Sequence, residues 1–587
     1  MSESGNAISI REAYAGKHVL LTGASGFLGK VWLARMLEHV PEVGRIYVLL
    51  RPRALVPAAA RFDKMMTSSP AFRRLHDLHG AGLTRLLADK VEVIEGELCE
   101  PNLGMSDALV RRLRRDLDLV VHCAGLVDFN PDLAKAVASN VDATLRVADL
   151  VEGAERARLL HISTCYVAGS RYGRIRERVI PDYAPEGDGF DPEREVAEAH
   201  AEGEAIRVRH ETPEHRAQIE DEVREMVAER RSGNQARLIK NLTRRRLREE
   251  LKRELADAGM ARAKRWGWPN TYTYTKSMAE SLLWRRRDRL ELSILRPSIV
   301  ESSLEFPFPG WNESFNGSAP LAYVMGTWFR IIPARPNAPF DVIPVDMVAN
   351  AMVIAGGAML EDRHAPVYHV GTSDRNRCSV GRAADLIVLA HRRHDRQAGR
   401  SRTERLIKSR WDAVLTDVDD VFSVDRNRNL VGGVLEALDL LPDKLHRKAR
   451  RLIERTERVD RRLAELQNLI DLYKPFMHDS FYVFESRALD RTVPVEPELR
   501  FEPEKLDWRR YWLEVHVPGL RRWAFPLIDG KRPERYRAEH PVTLSKPPPP
   551  PAPPTRAVAK DLQSESQAES HAEQGRVARR AVGATEG

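Results

Sequence analysis

The feature that most constrains this chain is a series of short runs that are apolar on both faces. They are "KHVLLTG" (17–23), "RIYVLLR" (45–51), "KVEVIEG" (90–96), "LDLVVHCAG" (117–125) and "ARLLHISTCYVAG" (157–169), each followed by a helical pattern. Runs of this length, rich in β-branched residues, predict strands rather than buried helices. A strand apolar on both sides must be covered on both sides, so the pattern predicts a parallel sheet between helical layers. It resumes with "YTYTKSMAESLLWRRR" as a helix and "LELSILRPSIV" as a strand, then runs through "FDVIPVDMVANAMVIAGGAML" to "PVYHVGT". The expected fold class is α/β: a Rossmann-type doubly wound parallel sheet with a helical insertion and a mostly helical C-terminal domain.

The expected organisation has an N-terminal arm at 1–15, the α/β domain at 16–375, a helical C-terminal domain at 376–538 and a tail at 539–587. Inside the α/β domain, about 187–266 is dominated by charge, and Leu247, Leu251 and Leu255 recur at spacing four. That predicts a helical insertion with one apolar stripe, read either as a solvated hairpin on the main domain or as a basic surface for membrane or partner. The longest helical pattern of the C-terminal domain spans 434–473, with a break at Pro442. The tail begins Pro-rich and becomes small and polar, which cannot build a core and predicts disorder.

The chain has 587 residues, enough for more than one core, with 93 basic against 85 acidic residues and a net charge of +8. An interspersed excess this mild suits a phosphate-rich ligand or an anionic membrane surface and does not indicate nucleic acid. Cys99, Cys123, Cys165 and Cys378 form no CxxC pair, so a reducing cytoplasm is the expected home. The N-terminus lacks signal-peptide features, and no apolar run approaches the roughly 20 residues of a spanning helix. Any membrane contact is therefore expected to be peripheral.

"VLLTGASGFLGK" sets Thr22, Gly23, Gly26 and Gly29 between a predicted strand and a predicted helix, with Ser25, Phe27 and Leu28 completing the loop. Glycines at these places allow a tight turn and let backbone N–H groups meet a pyrophosphate at the helix N-terminus. The second strand ends "VLLRPR". An acidic residue there would bind the 2′-hydroxyl of NAD, whereas Arg51 and Arg53 suit the 2′-phosphate of NADPH. Glu97 and Leu98, then His122, Cys123, Ala124 and Gly125, end successive strands and are expected to flank the adenine and its ribose.

"PNTYTYTKSMAE" (269–280) raises a choice between tyrosines. On a helix starting at Pro269–Asn270, Tyr272 and Lys276 are i and i+4 and share a face, while Tyr274 points elsewhere. A lysine beside the phenol is expected to favour the phenolate and lower its pKa, readying Tyr272 as an acid toward a carbonyl oxygen. Ser163 and Thr164 end a predicted strand and offer hydroxyls to hold that oxygen.

Together "YAGKHVLLTGASGFLGKVWLARML", "HCAGLVDFN", "HISTCYVAG", "NTYTYTKSMAE" and "LRPSIVESSLEFPFPGW" resemble the male-sterility-type fatty acyl-CoA reductases of the extended short-chain dehydrogenase/reductase superfamily. "LIDLYKPFMHDSFYVFES" and "FEPEKLDWRRYWLEVHVPGLRRW", with Asp507, Trp508 and Tyr511, are similar to that family's C-terminal domain. The resemblance covers most of 13–525 apart from the charged insertion. It implies Thr164 as the triad hydroxyl with Ser163 as second claimant, Tyr272 as acid, and Lys276 as ribose binder and partner of Tyr272. It also implies Pro297, Ser298 and Ile299 against the nicotinamide. "HCAG" departs from the two alanines that often follow the histidine, a small change at Cys123.

The implied reaction is NADPH-dependent reduction of long-chain acyl-CoA to aldehyde and on to primary alcohol, with release of CoA and no metal. Cys165 then serves packing rather than nucleophilic attack, and the apolar residues of "PFMHDSFYVF" (475–484) either line an acyl tunnel supplied by the C-terminal domain or form that domain's ordinary core. Other readings of the same residues are a reductase of carrier-bound thioesters, an epimerase, dehydratase or hydroxysteroid dehydrogenase, and a cofactor-binding scaffold on membranes.

Overall fold

The computed structural model describes residues 7–228, 235–313, 317–327, 331–398, 414–416, 431–432, isolated positions from 453 to 467, and 470–545. Met1–Val542 form one compact unit, and the structure below belongs to it. Of the second unit, Thr543–Gly587, only 543–545 are described. Most of the predicted 434–473 helix and the tail beyond 545 thus lie outside the described residues.

Seven strands form one parallel sheet: β1 (His18–Thr22), β2 (Arg45–Leu50), β3 (Val91–Glu95), β4 (Leu119–His122), β5 (Arg158–Ile162), β6 (Leu292–Pro297) and β7 (Val367–Val370). Their order is β7-β6-β5-β4-β1-β2-β3, so the winding reverses between β1 and β4 and opens a crevice at their carboxyl ends. All five runs read above as strands enter this sheet. The helices that matter below are α1 (Phe27–His39), α2 (Ala143–Glu152), α3 (Pro192–Glu211), α4 (Pro213–Ala228), α5 (Gln235–Arg265), α6 (Thr271–Trp284) and α7 (Val345–Leu360). One face of the sheet buries Leu20, Val120, Leu159 and Ile294 with Val147 of α2 and Leu283 of α6. Across the other face α7 packs against α1, and Tyr14 crosses to donate to the Val353 carbonyl at 3.1 Å.

The insertion is helical, comprising α3 to α5, but its leucine stripe is divided. Leu247 covers Ile219, Val223 and Val227, while Leu255 is buried beside Gly203 of α3. The charge between is internally matched, as in Arg246–Glu222 at 2.7 Å and Arg262–Glu195 at 2.6 Å.

C-terminal residues return to the sheet domain. After the helix Val380–Gln397, strand Phe481–Phe484 pairs parallel with Tyr172–Ile175, and Val493–Pro494 pairs with Ala7–Ile8. Glu496 accepts from the backbone of Ile10 and Arg11 at 3.1 Å each, fastening the start of the chain to this late segment. A π-helical turn, Tyr511–His516, meets the loop after β6, where Tyr511 Oη donates to the Ser302 carbonyl at 2.7 Å.

Candidate active site

The turn after β1 is shaped by space. Gly23 has φ +77, and a Cβ there would lie 2.7 Å from Ala124 N. A Cβ on Gly29 would lie 2.3 Å from the Gly23 carbonyl oxygen. These contacts seat the opening of α1 directly over β4. Gly26 is the N-cap of α1 with no side-chain cap and no acidic residue in the first turn, which leaves the helix end receptive to an anion.

A cavity of about 710 Å³ runs from this turn along the strand ends. Gly23, Ser25, Gly26, Phe27, Leu28 and Gly29 line its start, with Arg51, Glu97, Leu98, Ala124 and Gly125 beside them. Ser163, Thr164, Tyr272, Lys276, Pro297, Ser298 and Ile299 line its centre. Three of the residues singled out from sequence do not reach the wall. Thr22 and His122 lie beneath it, with Thr22 Oγ1 2.8 Å from His122 Nδ1, His122 Nε2 3.0 Å from Thr144 Oγ1, and Ala124 N donating to Thr22 Oγ1 at 3.2 Å. Burial presses the His122 pKa down to about 3, Lys276 adding to the effect, so the ring is a neutral brace for the "HCAG" turn. Arg53 folds into a bridge with Val56, and the guanidinium that joins Arg51 at the cavity is Arg61, which donates to the Arg51 carbonyl. Arg61 stands on a helix after β2, outside any loop motif; its only sequence signal was a basic residue one helix beyond the strand.

Asn270 caps α6, accepting from Thr273 N at 2.9 Å, which sets the phase of that helix. Tyr272 and Lys276 then face the cavity, while Tyr274 Oη donates to Glu195 Oε1 of α3 at 2.6 Å. Lys276 Nζ donates to the Ile162 carbonyl at 2.7 Å. Burial pushes the lysine pKa down to about 8, opposed by Cys123 and Glu280. The Tyr272 phenol stands beside the Thr164 hydroxyl in the cavity wall. Its pKa is raised rather than lowered: burial is the largest cause, Cys123 adds to it, and the neighbouring Thr164 hydroxyl only partly opposes it. The expected effect of Lys276 on the phenol is thus outweighed by desolvation of both groups.

Thr164 also accepts from Tyr166 N at 3.3 Å and caps the turn that follows β5. Ser163 Oγ and Ser298 Oγ are buried, line the cavity and have no hydrogen-bond partner among the described residues. Buried hydroxyls without partners are costly, and a polar ligand lying between these two strand ends would satisfy them. Asn140, in a π turn, accepts from Leu126 N at 2.7 Å and donates to Thr275 Oγ1 at 2.9 Å, tying the β4 loop to α6. Cys165 donates from Sγ to the Arg296 carbonyl at 2.9 Å, and burial holds its thiol neutral.

The opposite wall is aromatic: Phe476 and Met477 come from the segment 475–484 that was read as a candidate acyl lining, while Phe129, Tyr166 and Tyr473 were not singled out. Phe129 lies between Tyr272 and Phe476, with ring centroids 6.4 and 5.7 Å away. Tyr166 meets Phe476 edge-on at 5.1 Å and rests on Tyr482 and Phe484. Tyr473 and Met477 complete this side.

The anion-receptive turn, the partnerless hydroxyls and the tyrosine–lysine face fit a nicotinamide dinucleotide laid across the switch point. Fold and crevice therefore define a nicotinamide-dependent oxidoreductase of the short-chain dehydrogenase/reductase type. Residues 21–352, more than half of the chain, match the family described as "Male sterility protein", and the chain belongs to that family. It is 27% identical to "Fatty acyl-CoA reductase 1" of Arabidopsis thaliana, over 86% of this chain and 96% of that one. It is also 27% identical to "Alcohol-forming fatty acyl-CoA reductase" of Simmondsia chinensis, over 89% and 99% respectively. Among solved structures, the terminal R domain from the myxalamid PKS-NRPS biosynthetic pathway aligns with 88% of this chain and 93% of that one, at 18% identity and a TM-score of 0.48. Among the described residues no helix is long and apolar enough to cross a membrane.

Proposed function

We propose that the protein reduces long-chain fatty acyl-CoA with NADPH, releasing CoA and carrying the acyl group through the aldehyde to the primary alcohol. The observation that carries this reading is the meeting, at Tyr272, of a half-cavity lined by the glycine turn and an aromatic half-cavity, in a chain similar over 89% of its length to an alcohol-forming fatty acyl-CoA reductase.

The bound nicotinamide supplies hydride to the thioester carbonyl carbon. Thr164 and Tyr272 hold the carbonyl oxygen as it becomes an oxyanion, with Ser163 beside them as the second hydroxyl. Collapse of the tetrahedral adduct breaks the C–S bond and expels CoA as thiolate. In the second reduction, of the aldehyde, Tyr272 gives its proton to the oxygen, and the high phenol pKa suits a donor rather than a standing phenolate. Lys276 orients the ribose and places positive charge beside the phenol. Gly23, Gly26 and Gly29 cradle the pyrophosphate, Pro297, Ser298 and Ile299 back the nicotinamide, and Glu97, Leu98, Ala124 and Gly125 flank the adenosine. Thr22 and His122 serve from beneath, through Ala124.

NADPH is preferred because Arg51 and Arg61 share the end of β2 where an NAD site would carry an acid. The four cysteines are free, in keeping with a reducing compartment, and contact with membrane is peripheral. Residues 376–538 act as the domain that supplies the acyl side of the cavity, through Tyr473, Phe476 and Met477.

The test is NADPH oxidation by the purified protein with palmitoyl-CoA, with NADH as control and products identified by mass. Two NADPH per CoA released, with hexadecanol, is the expected result. One NADPH with hexadecanal would end the reaction at the aldehyde, and no oxidation with any acyl-CoA would overturn the assignment.

A further inference from the structure

Beside the reaction cavity lies a second, open cleft of about 990 Å³ that the chemistry above does not use. One bank is the helix Ala58–Ser68, with Lys64, Thr67 and Ser68 in the wall. The other is the segment 532–537, held across that helix by Ala538 N to the Thr67 carbonyl and Val542 N to Thr67 Oγ1, both at 3.0 Å. Trp523 and Tyr536 add aromatic surface.

Its charge leans positive because its carboxylates are engaged elsewhere. Lys64, Arg532, Arg535 and Arg537 line the cleft, and none has an ion-pair partner among the described residues. Of the three wall carboxylates, Glu534 pairs with Arg522 at 2.6 Å and Glu313 pairs with Lys30, both partners lying outside the wall. Asp63 is the third, and it too has a partner. Unpaired cations gathered in a concave surface raise a local positive potential, which a polyanionic ligand relieves.

The cleft is also connected. Glu313 lines both it and the reaction cavity, and Phe27 of the glycine turn packs on Trp311 of the cleft with ring centroids 5.0 Å apart. Through the shared Glu313 the two cavities are neighbours.

We propose that this cleft binds the nucleotide head of the substrate, the 3′-phosphorylated adenosine diphosphate of CoA. Lys64, Arg532, Arg535 and Arg537 neutralise its phosphates, and Tyr536 offers a ring to its base. This rests on the acyl-CoA reading above and assigns the part of the substrate which that reading leaves unplaced.

The test uses the full-length protein with Arg535→Glu and Arg537→Glu combined, and two thioesters of the same acyl chain. Palmitoyl-CoA carries the nucleotide, and the palmitoyl thioester of N-acetylcysteamine lacks it. The expected result is a KM for palmitoyl-CoA raised about tenfold, with kcat, the KM for NADPH and the KM for the truncated thioester unchanged. The control Arg535→Lys with Arg537→Lys keeps a near-native KM. An equal response of the two thioesters, or none in either, overturns the assignment. Should wild type turn over neither thioester, the activity reading fails, and the cleft is judged by calorimetric titration of NADPH-saturated protein with adenosine 3′,5′-bisphosphate. Binding that the double variant abolishes supports the cleft, and absence of binding by wild type overturns it.

Discussion

Tyr274 and Glu195 share a hydrogen bond of 2.6 Å, and that bond turns one of two near-neighbour tyrosines toward the insertion while Tyr272 faces the cavity. The two phenols should therefore fail differently. Tyr272→Phe is expected to lower kcat by about 10²–10⁴-fold while cofactor binding, read by fluorescence titration, persists. Tyr274→Phe is expected to leave kcat within a few-fold but to lower stability by about 1–3 kcal/mol in urea unfolding, because Glu195 loses a buried donor and keeps only Arg262. A Tyr274→Phe enzyme as inactive as Tyr272→Phe would reverse the assignment.

The glycines of the turn are not equivalent. A Cβ on Gly26 would meet only the Gly23 carbonyl oxygen at 3.3 Å, whereas one on Gly29 would sit 2.3 Å from the same atom. Gly26→Ala is expected to weaken NADPH binding less than tenfold, and Gly29→Ala to weaken it at least a hundredfold or unfold the turn. Isothermal titration with NADPH separates these cases, and equal losses would contradict the packing argument.

Cofactor choice should follow the arginines that reach the cavity. Arg51→Ala and Arg61→Ala together are expected to cut the NADPH-to-NADH ratio of kcat/KM by about 10- to 100-fold, mostly through the KM for NADPH. Arg53→Ala should leave the ratio unchanged, since Arg53 is not among the residues lining the cavity. A large effect of Arg53 alone would show that the end of β2 is read wrongly.

Glu301 gives the fold a pH dependence. It is fully buried between Ser318 and His516, with His516 Nε2 3.6 Å from Oε2. Burial pushes its pKa up to about 8, only partly opposed by the Ser318 hydrogen bonds, and presses His516 down to about 3. A carboxyl whose folded pKa exceeds its ordinary 4.5 stabilises the fold below 4.5 and loses that contribution as pH rises through 8. His516 acts in a separate window, where folding is penalised as pH falls below 6.5. Comparing Glu301→Gln with wild type isolates the carboxyl. The variant should match wild type near pH 5 and exceed its Tm by several degrees at pH 9, with kcat little changed. Parallel Tm profiles across this range would mean that Glu301 is already charged at neutral pH.

What the residues disclosed in advance was whatever depends on short range. Strands apolar on both faces could only be central, and the i, i+4 relation chose Tyr272 over Tyr274 with no tertiary knowledge. The glycine turn was legible for the same reason, since its strand, loop and helix are contiguous. The aromatic wall was legible only in part: Phe476 lay in the segment read as a candidate acyl lining, but Phe129 was not read with it, because the two meet only after the whole sheet has formed. Arg61 was passed over because Arg53 lay nearer the strand, whereas Arg61 and not Arg53 joins Arg51 in the cavity wall. The acidity of Tyr272 was misjudged since burial, which sequence does not display, outweighs a neighbouring charge.

The pairing of Ala7–Ile8 with Val493–Pro494, sealed by Glu496, sets an order of events on the ribosome. The opening strand waits for a partner 486 residues later, and Phe476, needed by the cavity, is also made late. Once Val370 has been added the seven-stranded sheet is complete, yet its flank stays open until Val493 follows, so the nascent chain carries an unpaired opening strand through that span.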